Sequence, residues 1–251
     1  MLGMIRLARR RLRLLLRRAG IDVSRRTVET SAELQLDRLL RHCGIDLVLD
    51  VGANGGQYAA GLRWNGFAGR IVSFEPMAAA YEQLRLAAGR HGGWEVAPRM
   101  ALGESDGEIE IHIAGNSVSS SILDMLPAHE RATPESAYVG REFVPLRRLD
   151  SVGEQFLGES RRALLKIDTQ GYEDRVLAGA KGLVHRIAAV QAELSLVPLY
   201  AGQPLYLEML EKIEALGFVL YAIFPSYVDA RTGRTLQFDG FFLRRELARD
   251  A

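Results

Sequence analysis

Short apolar runs alternate with segments of helical period along most of this chain. Leu34, Leu36, Leu39 and Leu40 predict a helix over residues 31–42, stopped by Gly44. Residues 45–51 form a buried apolar strand, followed by a helix over 56–64 and a second strand over 70–75. A helix over 77–90 starts just after Pro76, and a third strand is expected over 94–100. Residues 108–113 alternate polar and apolar, the pattern of a half-exposed strand. Residues 116–134 are polar, serine-rich and broken by prolines, so they read as a loop with a short helix.

The same alternation continues with strands over 142–146, 163–168 and 187–194 and helices over 152–156, 173–181 and 204–216. Two strands, 218–224 and 236–243, close the chain. Strand and helix in turn predict an α/β fold with a mainly parallel sheet covered on both faces. No repeat, low-complexity tract or second domain interrupts residues 27–251.

The first apolar run ends in Asp50 and opens into Gly52-Ala53-Asn54-Gly55-Gly56. The second ends in Glu75-Pro76, 25 residues after Asp50 and so about one strand-helix-strand unit further on. That layout suits a nucleoside cofactor lying across two adjacent strand ends, with the second acid accepting from both ribose hydroxyls. A pyrophosphate binder reads Gly-x-Gly-x-x-Gly, and an acid two residues before the first glycine would repel it. S-adenosylmethionine (SAM), which carries an ammonium, a sulfonium and a ribose, fits the acid. An ordinary glycine-rich turn after a buried strand is the plain alternative.

With 251 residues, 48% hydrophobic and 25% charged, the chain can bury one large core. A single cysteine, Cys43, excludes a disulfide framework and a multi-cysteine zinc site, and a reducing cytoplasm is the natural reading. Five scattered histidines make no His-x-x-x-His pair, which argues against a histidine-rich metal site. The net charge of +1 hides an asymmetry. Residues 1–26 carry nine arginines and one acid, whereas the rest is mildly acidic, an argument against a nucleic-acid footprint.

On a helical wheel Arg6, Arg10, Arg13 and Arg17 separate from Met4, Ile5, Ala8, Leu12, Leu15 and Leu16. Such a basic amphipathic arm, over residues 1–19, can lie on an anionic membrane, each arginine adding about 1 kcal/mol there. A surface helix packed on the body, or a flexible arm, is the other reading. Interrupting arginines exclude a signal peptide, and no apolar run reaches the length of a transmembrane span.

Asp168 and Glu193 end the next two core strands and should face the same crevice as Asp50 and Glu75. The stretch Lys166-Ile167-Asp168-Thr169-Gln170-Gly171 lacks the Asn/Asp-Pro-Pro-aromatic tetrapeptide of many amine methyltransferases, so oxygen is the favoured methyl acceptor. Asp168 is the first choice for the base that takes the hydroxyl proton, and Glu193 the second. The structural alternatives are a helix N-cap for Asp168 and an ion pair with Arg186 or Lys166 for Glu193. Both carboxylates could hold Mg²⁺ through water, a thin case on two oxygen ligands. Ser119, Ser120 and Ser121 could bond a polyhydroxylated acceptor, or form an ordinary solvated loop. Tyr200, Gln203 and Tyr227 are further wall candidates.

Together, Asp50-Val51-Gly52-Ala53-Asn54-Gly55-Gly56, Phe74-Glu75-Pro76, Ala101-Leu102-Gly103 with Asp106-Gly107, Ser119–Ser121 and Leu165–Glu173 resemble the FkbM family of SAM-dependent methyltransferases. The likeness spans roughly residues 47–243. It implies a class I Rossmann-like fold, three layers α/β/α around a mostly parallel seven-stranded sheet. It implies O-methylation, often of sugar hydroxyls in glycolipids, polysaccharides or natural products, and here the sugar of a glycolipid or cell-envelope polysaccharide is the expected acceptor. By position, Asp50, Gly52, Asn54 and Gly56 would hold the methionine part, Glu75 with Pro76 the ribose, and Ala101 and Leu102 would flank the adenine. Many members read Asp-x-Glu-Gly-x-Glu, whereas this chain has Gln170 at the first glutamate; if that glutamate is the base elsewhere, this chain would need Asp168 or Glu173 instead, and a glutamine can still bond an acceptor hydroxyl. Two rivals remain: an NAD-dependent oxidoreductase, which calls for glycine where Asn54 stands, and a catalytically silent cofactor-binding partner subunit.

Overall fold

A computed structural model describes residues 14–23 and 25–249. Most of the basic arm therefore lies outside the described residues. No helix among the described residues is long and apolar enough to cross a membrane.

Seven strands form the central sheet in the order β3-β2-β1-β7-β8-β10-β9. They are β1 (Leu47–Val51), β2 (Arg70–Phe74), β3 (Trp94–Val96), β7 (Ala163–Ile167), β8 (Ile187–Ser195), β9 (Phe218–Asp229) and β10 (Arg234–Arg244). All neighbours are parallel except β10, which runs antiparallel to β8 and β9. β1 sits centrally, Leu49 facing Val72 on one side and Leu165 on the other. It is buried along its whole length, because helices cover both faces and leave no polar side.

Two apolar clusters lie on opposite faces of this sheet. Leu47, Leu49 and Val51 join one, with Phe74, Leu165 and Phe242; Val48 joins the other, with Leu40, Ile71, Leu84 and Phe241. Alternation of side chains along each strand assigns them. The helix α1 (Ala32–His42) begins where the sequence places it, with Ser31 Oγ accepting from Leu34 N. α2 (Gln57–Trp64) and α3 (Ala78–Ala88) follow β1 and β2.

The expected third strand over 94–100 is corrected: β3 stops at Val96. Ala97 N still donates to Ser73 O, but Pro98 next offers no N–H, and the chain leaves the sheet. It enters a second sheet that the periodicity did not predict, β4-β6-β5, built from β4 (Ala101–Leu102), β5 (Gly107–Ala114) and β6 (Tyr138–Arg147). Ala101, Ile111, Val144 and Leu146 pack this sheet onto Met77 and Ala80 at the start of α3. It thereby roofs the carboxyl ends of β1 and β2. The helix expected over 152–156 divides at Gly153 into α5 (Leu149–Val152) and α6 (Glu154–Leu157), after α4 (Pro127–Ala132) in the serine-rich loop. α7 (Glu173–Ala178) and α8 (Tyr206–Ala215) flank β8 in sequence, and β9 and β10 are longer than their apolar runs.

Candidate active site

The carboxyl ends of β1, β2 and β7 open into a cavity. Gly52, Asn54, Glu75, Pro76, Ala101, Leu102, Ser120, Asp168 and Gln170 line it, with Met100 and Ile111 as apolar walls. Gly52 (φ +76°) must be glycine: a Cβ there would stand 1.8 Å from the Asp168 carbonyl oxygen. The β1 loop and the β7 loop thus touch backbone to backbone. Asn54, also left-handed at φ +48°, turns its N–H onto Glu75 Oε2 at 2.7 Å.

Glu75 is 2% exposed. Its Oε1 accepts from Met77 N at 2.9 Å. Two backbone donors occupy two of the roughly four lone-pair sites of a carboxylate, which leaves acceptors for two hydroxyls. Burial raises its pKa to about 7, against the pull of Met77 and Asn54 N–H. The bare backbone at Gly52, the spare acceptors of Glu75 and the apolar walls fit a nucleoside cofactor, and acids around the cavity suit one that is cationic.

Asp50 does not line the cavity, so its expected direct contact with the cofactor is corrected. It is fully buried in a polar row across the sheet. Ser73, Asp50, Lys166 and Gln191 stand side by side in parallel register on β2, β1, β7 and β8. Trp94 Nε1 donates to Ser73 Oγ at 3.0 Å, and Ser73 Oγ donates to Asp50 Oδ2 at 3.1 Å. Lys166 Nζ lies 3.3 Å from Asp50 Oδ1, 3.5 Å from Asp168 Oδ2 and 5.1 Å from the Tyr58 ring centre. Burial opposes the Lys166 charge, but the Asp168, Asp50 and Asp239 carboxylates outweigh it and hold its pKa above the ordinary lysine value. Tyr58 closes the row by donating to Gln191 Oε1 at 2.8 Å.

Gly56 is likewise corrected from a cofactor contact to a packing position. A Cβ there would meet the Trp94 ring at 2.9 Å and Leu84 at 3.0 Å, and the residue is absent from the cavity wall. Glycine at this point lets α2 close on β3.

Asp168 and Glu193 come together through Gln170. Gln170 Nε2 donates to Asp168 Oδ1 at 2.7 Å and to Glu193 Oε2 at 2.9 Å, while its Oε1 lies 2.9 Å from the Tyr200 hydroxyl. Gln237 Nε2 donates to the same Glu193 oxygen at 2.7 Å. Burial, followed by repulsion from Asp168, Glu173 and Asp239, drives the Glu193 pKa well above the ordinary carboxylate value. Tyr172, not Asp168, holds the N-cap position of α7, Arg186 pairs with Glu154 rather than Glu193, and Lys166, whose ion pairs go to Asp50 and Asp168, reaches Glu193 only as a charge that favours its ionised form. The structure gives a Mg²⁺ ion no support, since an amide donor fills the gap between the two carboxylates. Nor does any group of three His, Cys, Asp or Glu among the described residues suit a metal ion.

Glu173, the alternative base beside Asp168, holds the loop in shape. Its Oε1 accepts from Thr169 N (2.8 Å), Thr169 Oγ1 (3.1 Å) and Gly171 N (3.2 Å), and burial raises its pKa to about 7. The acid five residues after Asp168 was visible in the sequence; its inward turn was not. Gln203 braces a turn by accepting from Leu199 N at 2.9 Å, not an acceptor wall.

A second cavity adjoins the first, sharing Val118 and Gln170 with it. Ser119, Glu193 and Tyr227 line this second space, together with His129 and Gln237, which the sequence reading did not select. The serine cluster is therefore divided, Ser120 facing the first cavity and Ser119 the second.

Among solved structures the chain is similar to magnesium protoporphyrin IX methyltransferase (ChlM) from Synechocystis PCC 6803 with bound SAM. That likeness has 10% identity and a TM-score of 0.45, covering 91% of this chain and 88% of that one. An rRNA methylase from Streptococcus thermophilus shows 10% identity and a TM-score of 0.45 over 86% of this chain and 98% of that one. The methyltransferase domain of bacterial CtHen1-C shows 11% identity and a TM-score of 0.47 over 87% and 99%. None of the curated proteins matches the chain. The family match is direct: residues 50–220, more than half of the chain, fit the Methyltransferase FkbM domain, from Asp50 through the loop that carries Asp168 and Gln170. The chain belongs to the FkbM family of SAM-dependent methyltransferases.

Proposed function

We propose that the protein moves a methyl group from SAM to a hydroxyl of a saccharide, the sugar part of a glycolipid or cell-envelope polysaccharide. One observation carries the reading. The cavity at the ends of β1, β2 and β7 meets a second cavity at Val118 and Gln170, with Asp168 lining the first and Glu193 the second. SAM supplies an activated methyl carbon on a sulfonium. In this reading Gly52 and Asn54 receive the methionine part, Glu75 the ribose hydroxyls, and Ala101 with Leu102 the adenine.

A hydroxyl entering the second cavity meets the Glu193 carboxyl, whose Oε2 is engaged by both amides while Oε1 makes neither bond. Glu193 as carboxylate takes the hydroxyl proton as the oxygen–carbon bond forms. A positioned base contributes about 10²–10⁴-fold. Gln170 sets both carboxyls at fixed distance, and alignment of this kind supplies up to ~7–11 kcal/mol in the best-oriented systems. Asp168, beside the cofactor cavity, offsets positive charge there.

The test is incubation of the full chain with labelled SAM and a panel of deoxysugar glycolipids. Mass gain of one methyl, lost in Glu193→Gln, is the expected result. A protein that binds S-adenosylhomocysteine (SAH) yet methylates no hydroxyl on the panel would contradict the saccharide reading. For the arm, the nine arginines of residues 1–26 support contact with an anionic membrane. Deleting residues 1–19 should then reduce co-sedimentation with anionic liposomes, and unchanged sedimentation would remove that contact.

A further inference from the structure

We infer that the end of α2, around Trp64, docks on an anionic lipid bilayer together with the basic arm, with the Trp64 indole entering the lipid interface. The inference rests on the membrane contact proposed for the arm and carries that contact onto the folded body. Trp64 ends α2 and is 87% exposed, although an indole is a costly side chain to leave in water. Leu62, two residues earlier, is buried against the core, and the helical period therefore turns Trp64 outward. An indole with an apolar body and a polar N–H suits the boundary between lipid headgroups and acyl chains.

Arg26 brings the arm to the same place. Its Nη2 donates to Asn65 Oδ1 at 2.8 Å, at the residue after Trp64. Arg41 Nη2 reaches Gly66 O at 3.4 Å, one residue further on. These two guanidinium groups are matched by acids, Arg26 by Glu33 at 4.0 Å and Arg41 by Asp37 at 3.0 Å. The excess positive charge comes from the arm itself, with nine arginines against one acid over residues 1–26. That charge fits a surface of anionic headgroups.

The described part of the arm does not bury its apolar side chains on the body. Leu14 is 53% exposed, Leu15 62% and Ile21 52%. Aliphatic side chains gain nothing from a phosphodiester backbone, whereas a bilayer takes them and the arginines together. Lipid is therefore favoured over nucleic acid as the anionic partner. Residues 65–69 lead into the start of β2, so Trp64 stands at the amino ends of the strands and the cavity at their carboxyl ends. Five-residue strands separate the two by about 16 Å. A sugar that reaches the cavity of a docked molecule stands clear of the lipid, as in an extended glycan.

Tryptophan emission of the full chain tests the inference directly. The chain has two tryptophans, and Trp94 is only 7% exposed, so a change on binding reports Trp64. Vesicles of phosphatidylglycerol and phosphatidylcholine should shift the emission to the blue, and brominated acyl chains should quench it. Pure phosphatidylcholine vesicles should do neither. Trp64→Ser should weaken partitioning onto the anionic vesicles about tenfold or more, with SAH binding unchanged as the check on folding. Trp64→Phe should lose less. Partitioning that leaves the emission unmoved and is as tight in Trp64→Ser overturns this inference alone and spares the arm contact. No partitioning of the full chain onto anionic vesicles removes both. An equal response to pure phosphatidylcholine, or a response to RNA at equal phosphate concentration in place of vesicles, overturns the choice of an anionic bilayer. So does acrylamide quenching that finds Trp64 as shielded as Trp94 before any vesicle is added, since the arm would then cover it.

Discussion

Replacing Gly52 by alanine should damage the fold and the site together, and the size of both effects can be worked from the backbone. The added Cβ would stand 1.8 Å from Asp168 O and 2.8 Å from Asp168 C, where ordinary contact starts at 3.4 Å. The two loops must part by about 1.6 Å to accept it. Neither is free to do so. Gly52 N is bonded to Phe74 O at 3.1 Å, and Asp168 N to Val51 O at 3.1 Å. The left-handed φ of +76° costs a non-glycine residue about 1–2 kcal/mol, and overpacking adds about 1–3 kcal/mol. At about 2–4 °C per kcal/mol for a domain of this size, Gly52→Ala should melt at least about 4 °C lower. A shift of about 1 Å in Asp168 can cost about 10²-fold in rate. Differential scanning calorimetry and SAH titration on wild type and Gly52→Ala would measure both, with methyl transfer as the rate assay once an acceptor is in hand. A variant with unchanged melting temperature and unchanged SAH affinity would refute the claim that these loops are locked in contact.

Lys166→Met should cost about 3–5 kcal/mol in chemical denaturation, because it leaves Asp50 buried without its cation. Adding Asp50→Asn should restore most of that loss, and a single variant within 1 kcal/mol of wild type would refute the pairing. The cofactor-free protein should also melt lower at pH 8 than at pH 5. Glu75 and Glu173 keep their protons to about pH 7 and Asp239 to about pH 6, all through burial, whereas unfolded they ionise near pH 4. Between those limits the native state binds more protons than the unfolded chain, so stability falls as pH rises, by about 3 kcal/mol for a group shifted as far as Glu75. His129, held neutral with its pKa lowered to about 4, acts in the opposite sense up to about pH 6.5, one ring against several carboxyls. A melting temperature that climbs steadily from pH 5 to pH 8 would contradict the burial of these acids.

The strand-end acids were legible because a parallel sheet obliges its strands to end on one side. Val51, Phe74 and Ile167 are in register, and Glu75 and Asp168 follow two of them directly into the cavity. What the sequence could not show is which way a side chain turns at a strand end. Asp50 is the last residue but one of β1 and faces Lys166 across the sheet, not the cavity. A lysine inside the apolar run Leu164-Leu165-Lys166-Ile167 was the available sign, since such a cation needs a carboxylate in a neighbouring strand. The role of Gly56 depended on Trp94, 38 residues away in sequence and in contact only once β3 is placed. The second sheet escaped because β4 is two residues long, too short for any period to register. His129 lay in a proline-broken loop, and its partners Ser119 and Tyr200 meet it only through the tertiary fold.

The polar row carries a consequence for turnover. Among the described residues, Asp50 and Asp168 share one ammonium, that of Lys166. The neighbourhood is thus short of positive valence, and the methyl donor arrives with the sulfonium that fills the gap. Once the methyl has gone, its sulfur is neutral and the imbalance returns. The spent nucleoside then lacks an attraction that its fresh counterpart carries.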